Sequence, residues 1–551
     1  MILTTWYDKL TTSVGSLPAR RVTWGLVFIF SIWVLLDIFV LKFTHGLTHS
    51  SYDAMVRARL FVAAPDPRLI IIDIDEASLA RMGKEFGRWP WPRDTLATVL
   101  DYVERQQPAA VVWDILFSDV DRLNPGGDAA FNEAAKRSQH SHFAIVRLPK
   151  ANDAASQITR TALPGLWVES SSSPQLRSAA KEATVALIPP ALPALASGRL
   201  GFNNGYVDAD GMLRRYRYTE TLDDGSMIQS IPMSVFGTVS SVGHVNGLPR
   251  GANLIQEKDE LISWRKVASA YPHVSFADVF AQAEGDMPRA DVPTFAGKII
   301  IVGATAPSLH DIHATPLSST QAGVDSLATV LDNALNQRHM HELPHWLQAA
   351  LAIALCAGLA LWVQVKSAAS LAPALLALPT ALMAISYLSL NGLPVFLDLH
   401  LSAGLALLFL SVLGYWNKLR RDHWCSPPVE TTQPLSIWAW ERNDAWGEGA
   451  LDRLIDAVER YAPDCRVVLC DANKPRWSWS LRWPELARFA ALVGPQESMQ
   501  AALHKLEPAL RQLAQRSSEP VLHGPGSNRE HLAKGVFLAW AALGKVDTNN
   551  E

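Results

Sequence analysis

Four stretches of this chain are too long and too apolar to be accommodated in water, and they fix how everything else is arranged. They are residues 22–41, 346–363, 368–390 and 394–416. About 20 apolar residues in a helix cross about 30 Å of hydrocarbon, so each stretch reads as a transmembrane helix. The first follows Arg20 and Arg21 and is followed by Lys42-Phe43-Thr44-His45, which lacks a small-x-small cleavage pattern. An uncleaved signal anchor is therefore expected. Hydrophobic residues make up 49% of the chain and charged residues 19%, as expected for soluble domains diluted by membrane segments.

Basic residues near the helix ends set the orientation, because Lys and Arg are retained on the cytoplasmic side. Arg20 and Arg21 precede the first helix, Lys366 lies between the second and third, and Lys418, Arg420 and Arg421 follow the fourth. The loop from Asn391 to Pro394 carries neither Lys nor Arg. All four flanks put both termini in the cytoplasm. The expected layout is a cytoplasmic N-terminus (1–21), a periplasmic domain (42–345), three clustered helices, a linker (417–432) and a cytoplasmic domain (433–551) of a multi-pass inner-membrane protein. Asp37 and Asp398 then fall near the outer ends of their helices. There they serve as hydrated interfacial acids, or couple the first helix to the fourth.

A net charge of -4 provides no basic field for nucleic acid. None of the four cysteines lies between the first and second apolar segments, so no disulfide framework is expected there. Cys465 and Cys470 fall in an apparent strand with side chains on opposite faces, which suits structural thiols better than a metal.

The large domain reads as α/β. Residues 69–75 (Leu-Ile-Ile-Ile-Asp-Ile-Asp), 109–114 and 297–303 are continuous apolar runs suited to strands buried on both faces. Helical spacing of apolar residues predicts helices over 93–106 and 323–336. A strand, a helix and a strand in this order suggest a parallel crossover unit. Asp73, Asp75, Asp114 and Gly303 stand at the carboxyl ends of strands, where open α/β sheets bind ligands. Trp89-Pro90-Trp91-Pro92-Arg93 could line an aromatic pocket with Arg93 facing an anion, or form a rigid entry to the helix that follows.

Several polar clusters have plainer readings. Asp208-Ala209-Asp210-Gly211 starts like an EF-hand loop, but the closing Glu is missing and Arg214 and Arg215 follow, so a Gly-closed turn is expected. His310-Asp311-Ile312-His313 and His339-Met340-His341 with His345 have no recognised ligand spacing. No metal and no cofactor are assigned.

Tyr52-Asp53 with Arg57 and Arg59, Ile72-Asp73-Ile74-Asp75-Glu76, Arg88-Trp89-Pro90-Trp91-Pro92-Arg93 and Val112-Trp113-Asp114 occur in the order found in type-2 CHASE domains. Gly201-Phe202-Asn203, Asp208-Ala209-Asp210-Gly211, Ile301-Val302-Gly303-Ala304-Thr305, Asp311, Thr315-Pro316-Leu317 and Gly323-Val324 continue that order. The chain resembles this family of extracellular sensory domains of cyclases and histidine kinases over about residues 45–340. One helix before the domain and three after it is also the family's layout. The resemblance implies a sensor of an unidentified extracytoplasmic ligand and does not imply catalysis outside the membrane. The candidate ligand-binding residues are Asp73, Asp75, Trp89, Arg93, Asp114, Gly303 and Asp311. Gly83 to Gly87 lengthens the approach to the Trp-Pro motif, and residues 153–196 read as a variable surface excursion.

The C-terminal domain is read as a compact α/β unit. Strands are expected at 435–440, 466–470 and 489–493, with helices through Leu451, Leu454, Ile455 and Val458, over 497–516, and from a capping box at Ser527 and Glu530 through Leu532, Val536, Phe537 and Trp540. Trp477, Trp479, Leu481 and Trp483 alternate as one apolar strand face. Members of the resembled family usually carry a cyclase or a kinase here, yet no Gly-Gly-acid-Glu-Phe signature, phosphate-binding glycine loop or His-Arg-Asp loop is legible. Asp471 stands without a second matching acid, and His531 reads as a surface residue. The expected function is a transmembrane sensor that relays a signal to a non-catalytic domain binding a cytoplasmic protein. The alternatives are a divergent signalling enzyme and an envelope scaffold. The expected partners are the lipid bilayer, the unidentified ligand and that cytoplasmic protein, with self-association compatible with this layout.

Overall fold

The computed structural model describes residues 13–159, 161–168, 184–223, 225–242, 259–285, 292–365, 371–393, 395–425, 434–443, 448–469, 488–511, 514–517, 519–523 and scattered positions between 532 and 543. Lys366, Pro394, Cys470, Asp471, the Trp477 to Trp483 alternation, Ser527, Glu530, His531 and Phe537 lie outside the described residues. The chain forms two units, Gly46–Leu343 with Ser386–Leu397, and Met1–His45 with Pro344–Ile385 and Asp398–Glu551.

The first of these is built on a largely parallel sheet. Its strands are β1 (Leu69–Ile74), β2 (Ala110–Trp113), β3 (Ser141–Arg147), β4 (Leu187–Ile188), β5 (Arg199–Phe202), β6 (His273–Ser275) and β7 (Ile299–Ala304). Their order is β6-β1-β7-β2-β3, with β4 antiparallel and β5 parallel to β3. All three strands expected from apolar runs lie in this sheet, and β7 slots between β1 and β2 with Leu69 opposite Ile299 and Val111 opposite Ile300.

Successive side chains of a strand point to opposite faces, and both faces of this sheet are covered. Ile70, Ile72 and Ile74 pack with Leu96, Leu100 and Val103 of the helix Arg93–Glu104 and with Phe131 of Pro125–Arg137. Leu69 and Ile71 pack instead with Ile231 and Val235 of Ile231–Val242 and with Val324, Leu327 and Leu331 of Gly323–Leu335. Burial on both sides explains the uninterrupted apolar runs; each such side chain stabilises the fold by about 1.5–3 kcal/mol.

Ser386–Leu397 belongs to this unit through contacts that a hydropathy reading does not register. The Tyr387 hydroxyl donates to the Ala58 carbonyl at 2.6 Å, and the Leu60 amide donates to Asn391 Oδ1 at 2.8 Å. Val395 and Phe396 pair with His341 and Glu342 as a short parallel strand.

Among the described residues, the second unit holds four helices long and apolar enough to cross a membrane: Ala19–Leu41, His345–Gln364, Leu371–Gly392, whose last turns belong to the first unit, and His400–Trp424. Val27, Phe30 and Val34 meet Ala349, Ala352, Cys356 and Ala360, and both rows meet Leu405, Phe409 and Leu413. The alanines let the backbones approach closely, which is how apolar helices associate when no water is there to expel. The fourth helix differs from its expected bounds at both ends. It starts at His400 rather than 394, because Val395 and Phe396 are used in the strand pairing, and it runs through the expected linker to Trp424.

The C-terminal sheet contains β8 (Leu435–Arg442), β9 (Arg466–Leu469), β10 (Phe489–Pro495), β11 (Ala514–Ser517) and β12 (Val521–His523). It is antiparallel in the order β9-β10-β8-β11, with β12 also on β8. With the helices Glu448–Tyr461 after β8 and Gln496–Arg511 after β10, the first four strands follow, among the described residues, the order βαββαβ. The last long helix stops at Arg511 rather than 516, because residues 514–517 pair with Trp440 to Arg442 instead. Trp438 and Trp440 face one core with Leu454, Val458 and Leu506, while Leu435, Ile437 and Ala439 face another with Leu532, Val536 and Trp540.

Candidate functional site

The carboxyl ends of β1, β2, β3, β5 and β7 open onto one cavity of about 520 Å³. Ile74, Asp114, Ala144, Val146, Asn203 and Ala304 come from the strand ends, and Trp89 and Pro90 form one wall. Gly323, Ser326, Leu327 and Val330 of the helix Gly323–Leu335 form another, and Leu213, Tyr216, Asp311 and His313 close the remainder. A cavity of this size suits a small organic molecule rather than a lone ion.

Its polar groups form two connected sets. Asn203 Nδ2 donates to Asp114 Oδ1 at 2.7 Å, and the Tyr216 hydroxyl donates to Asn203 Oδ1 at 3.2 Å. Burial pushes the Asp114 carboxyl up to about 7, the negative charge of Asp311 adds to that, and the Asn203 hydrogen bond only partly opposes it. Asp114 is thus poised near half-protonation at neutral pH, able to donate or accept a hydrogen bond. Asp311 is also raised, by its own burial, while His313 at 3.8 Å pulls in the opposite direction.

The backbone makes room for these carboxylates. The Gly323 amide donates to the Asp311 carbonyl at 3.0 Å, and a Cβ on Gly323 would overlap the Asp311 carboxylate. At Gly303 a Cβ would meet Val324 at 2.8 Å and Asp114 Cβ at 3.2 Å. Both glycines are required by close approach, and Asp311 comes to lie at the start of a helix, where negative charge is favoured.

Of the seven candidate residues, Trp89, Asp114 and Asp311 line this cavity, and Gly303 packs directly behind Asp114. The other three are held in the framework. Asp73 accepts from the Thr305 amide at 3.0 Å and the Thr305 hydroxyl at 2.7 Å, and meets His273 Nδ1 at 2.9 Å. Asp75 caps the helix Glu76–Phe86, accepting from the Ser78 amide at 2.7 Å. Arg93 donates to Asp128 at 2.6 Å and lies 5.5 Å from the centre of the Phe117 ring, at the first turn of its helix. Asn203, Tyr216 and His313 complete the cavity and were not singled out as ligand contacts, although Asn203 closes the Gly201-Phe202-Asn203 motif.

The cavity wall leads into a chain of ion pairs. Next to Leu213, the Arg214 guanidinium is almost fully buried; it donates to Asp53 at 2.9 and 2.8 Å and to Asp208 at 2.8 Å. Arg215 donates to the other oxygen of Asp208 at 2.6 Å and to Glu342 at 2.8 Å. Asp53 follows the first apolar helix in sequence, and Glu342 precedes the second. The Asp208 to Gly211 turn forms as expected, with Gly211 at φ 81° and its amide donating to the Asp208 carbonyl at 2.8 Å. Its acids approach His49 at 4.0 Å, yet Arg214 and Arg215 already occupy their oxygens, so this cluster has the partners of an ion-pair network rather than those of a metal site.

In the other unit, Asp37 lies in a π-helical turn (Asp37–Leu41) and accepts from the Phe43 amide at 2.9 Å and from the Thr44 hydroxyl. Asp398 accepts from the His400 amide at 3.2 Å, and His400 Nδ1 lies 2.9 Å away. Each acid therefore closes the end of a helix. At the far end of the fourth helix, Arg420 donates to Asp456 at 2.5 Å, Arg421 donates to Asp452 at 2.8 Å, and Trp424 enters the core beneath β8, with Arg466 4.8 Å over its ring.

Comparisons with curated proteins and with solved structures gave no match. The family model described as the CHASE2 domain matches residues 27–362, more than half of the chain. An α/β domain with this site at its strand ends, accompanied by four helices long and apolar enough for a bilayer, makes this a membrane protein with an extracellular sensor domain. The chain belongs to the CHASE2 family of sensory domains found in signalling proteins.

Proposed function

We propose that this protein detects a small extracytoplasmic molecule in the cavity between Asp114 and Asp311 and passes the change to a cytoplasmic partner protein through its membrane helices. The observation that carries this reading is the cavity itself: convergent carboxyl groups, one of them poised near neutrality, beside Asn203, Tyr216 and His313 and a partly apolar wall. Such a lining favours a ligand with a cationic or hydrogen-bond-donating group beside an apolar body.

Transmission needs an element that the occupied cavity favours in one of two states. Leu213 and His313 line the cavity, and Arg214 and Arg215 follow Leu213 immediately. A ligand that moves this wall alters the sharing of Asp208 between the two arginines, and with it their hold on Asp53 and Glu342. Both termini are assigned to the cytoplasm on the strength of Arg20, Arg21, Lys418, Arg420 and Arg421. The contacts of Ser386–Leu397 with Ala58 and Leu60 support the same assignment, since they keep the junction of the third and fourth helices with the sensor. The C-terminal βαββαβ unit is the output, acting by partner affinity.

The test is a thermal-unfolding screen of the detergent-solubilised full chain against small amines and amides, followed by proximity labelling from the C-terminal unit. A compound should protect the parent protein, lose that effect in Asp114→Asn, and change which proteins are labelled. Protection that survives in both Asp114→Asn and Asp311→Asn would remove the ligand site from this cavity. Cyclic nucleotide production or phosphoryl transfer by the purified chain would replace partner binding with enzymatic output.

A further inference from the structure

A second basin, of about 620 Å³, has the opposite chemistry. It is lined by Arg59, Ser263, Arg338, His339 and the loop of Asn391 to Leu393, beside Leu60 to Ala63. The lining holds two arginines and no carboxylate. Arg59 makes no ion pair among the described residues: its Nη1 lies 3.5 Å from the Ser263 hydroxyl and 4.0 Å from Met340 Sδ, and its buried Nε has no partner. His339 is 8% exposed and neither of its ring nitrogens is bonded. Buried polar groups are normally satisfied, and a guanidinium without an acid is costly to bury, so these orphans are aimed at something the chain does not itself supply.

Arg338 is anchored and leaves room for a guest. Its Nη1 donates to the Ala64 carbonyl at 2.8 Å and to Asp332 at 3.3 Å, and Asp332 also serves Arg265 at 2.7 Å. Guanidinium forks match oxyanions with two or more oxygens, and an N–H of neutral His339 and the Ser263 hydroxyl add donors. The basin therefore fits a phosphate group. What selects its source is the rim. Leu60, Phe61 and Leu393 are 69%, 71% and 60% exposed, and Leu393 directly follows the last turn of the apolar helix Leu371–Gly392. Large apolar side chains at the end of a membrane helix belong at the level of lipid, not in water.

We propose that this basin binds the headgroup phosphate of an anionic phospholipid, with the acyl chains leaving across Leu60, Phe61 and Leu393. The site is separate from the Asp114 cavity and does not depend on the ligand proposed there. It holds the segment after Arg57 and the junction of the third and fourth helices to the same lipid, so the sensor's position against the membrane depends on lipid composition.

Native mass spectrometry of the full-length protein in mild detergent tests this, with phosphatidylglycerol, phosphatidylcholine and inorganic phosphate added separately. One phosphatidylglycerol per chain should be retained in preference to phosphatidylcholine, and Arg59→Gln should weaken retention about tenfold or more, as expected for a lost charged hydrogen bond. A Phe61→Ser/Leu393→Ser variant, altered only at exposed side chains, should weaken lipid retention while keeping the sensor's unfolding temperature. Should Arg59→Gln fail to fold, this double variant decides alone. Equal retention of the two lipids, retention indifferent to both variants, or a basin that takes inorganic phosphate but no lipid would each overturn the proposal.

Discussion

The two α/β regions of this chain keep their charged groups in different places. In the sensor sheet and its surroundings, Arg147, Arg214 and Arg265 are buried with carboxylate partners, and Asp114 opens into a cavity. Among the described residues, β8 faces apolar clusters on both sides, and the arginine ion pairs of that region lie at its edges: Arg420 with Asp456 and Arg421 with Asp452 where the fourth helix arrives, and Arg488 with Glu441 at the end of β8. Apolar packing gives a rigid body to be moved. A core threaded with ion pairs has groups whose partners can be exchanged, which is what a receptor for an outside event requires.

Substitutions can break or sharpen this contrast. The largest effect is expected at Arg265→Met, which strips fully buried Asp332 of its main counter-charge; loss of one partner from such a pair costs about 3–5 kcal/mol. Hydrogen exchange of β1 and of the helix Gly323–Leu335 should accelerate accordingly, and a change below about 1 kcal/mol would mean that the pair is not what specifies this core. Next, Leu454→Ala in the C-terminal core should cost about 3 kcal/mol by leaving a cavity. Its exchange effect should stay in the C-terminal peptides, leaving β1 untouched.

Protonation separates the regions further. The folded sensor holds Asp114 above its ordinary value, so folding favours the protonated acid. That contribution is complete below about pH 4 and is lost as pH rises through about 7. Asp114→Asn should remove this slope and leave the sensor about 2 kcal/mol more stable than its parent at pH 8, read by chemical unfolding. The smallest expected effect is at His273. Burial lowers its pKa, but hydrogen bonds to Asp325 and Asp73 outweigh this and raise it to about 9. Its contribution of about 1 kcal/mol is present below pH 6.5 and lost as pH rises through 9, and His273→Gln should flatten stability across that window alone.

Sequence alone revealed the parts of the fold that bury both faces. β1, β2 and β7 are long enough to leave continuous Ile and Val runs, and the helices Arg93–Glu104 and Gly323–Leu335 carry a clear apolar stripe. β5 was not legible because Arg199 and Gly201 interrupt its apolar residues, and β6 because it spans only three residues. β3 opens with two polar residues, Ser141, which the nearby Ser138 bonds, and His142, whose burial depends on Ser234 far away in the chain. The site divides in the same way. Asp114 announces itself at the end of an apolar run, whereas Tyr216 and His313 reach the cavity from short segments whose neighbours only the folded chain supplies. Arg93 has the chemistry of a ligand contact, but Asp128 and Phe117 occupy it.

The helix His400–Trp424 packs Leu405, Phe409 and Leu413 against its neighbours and, within the same rigid rod, seats Trp424 in the C-terminal core. Its two ends are therefore locked in angular phase. One residue inserted after Gly414 would swing Arg420, Arg421 and Trp424 by about 100° around the helix axis, and seven residues would return them almost to their starting azimuth. Output that falls and recovers with that periodicity would identify rotation, rather than a lengthwise push, as the motion the rod carries.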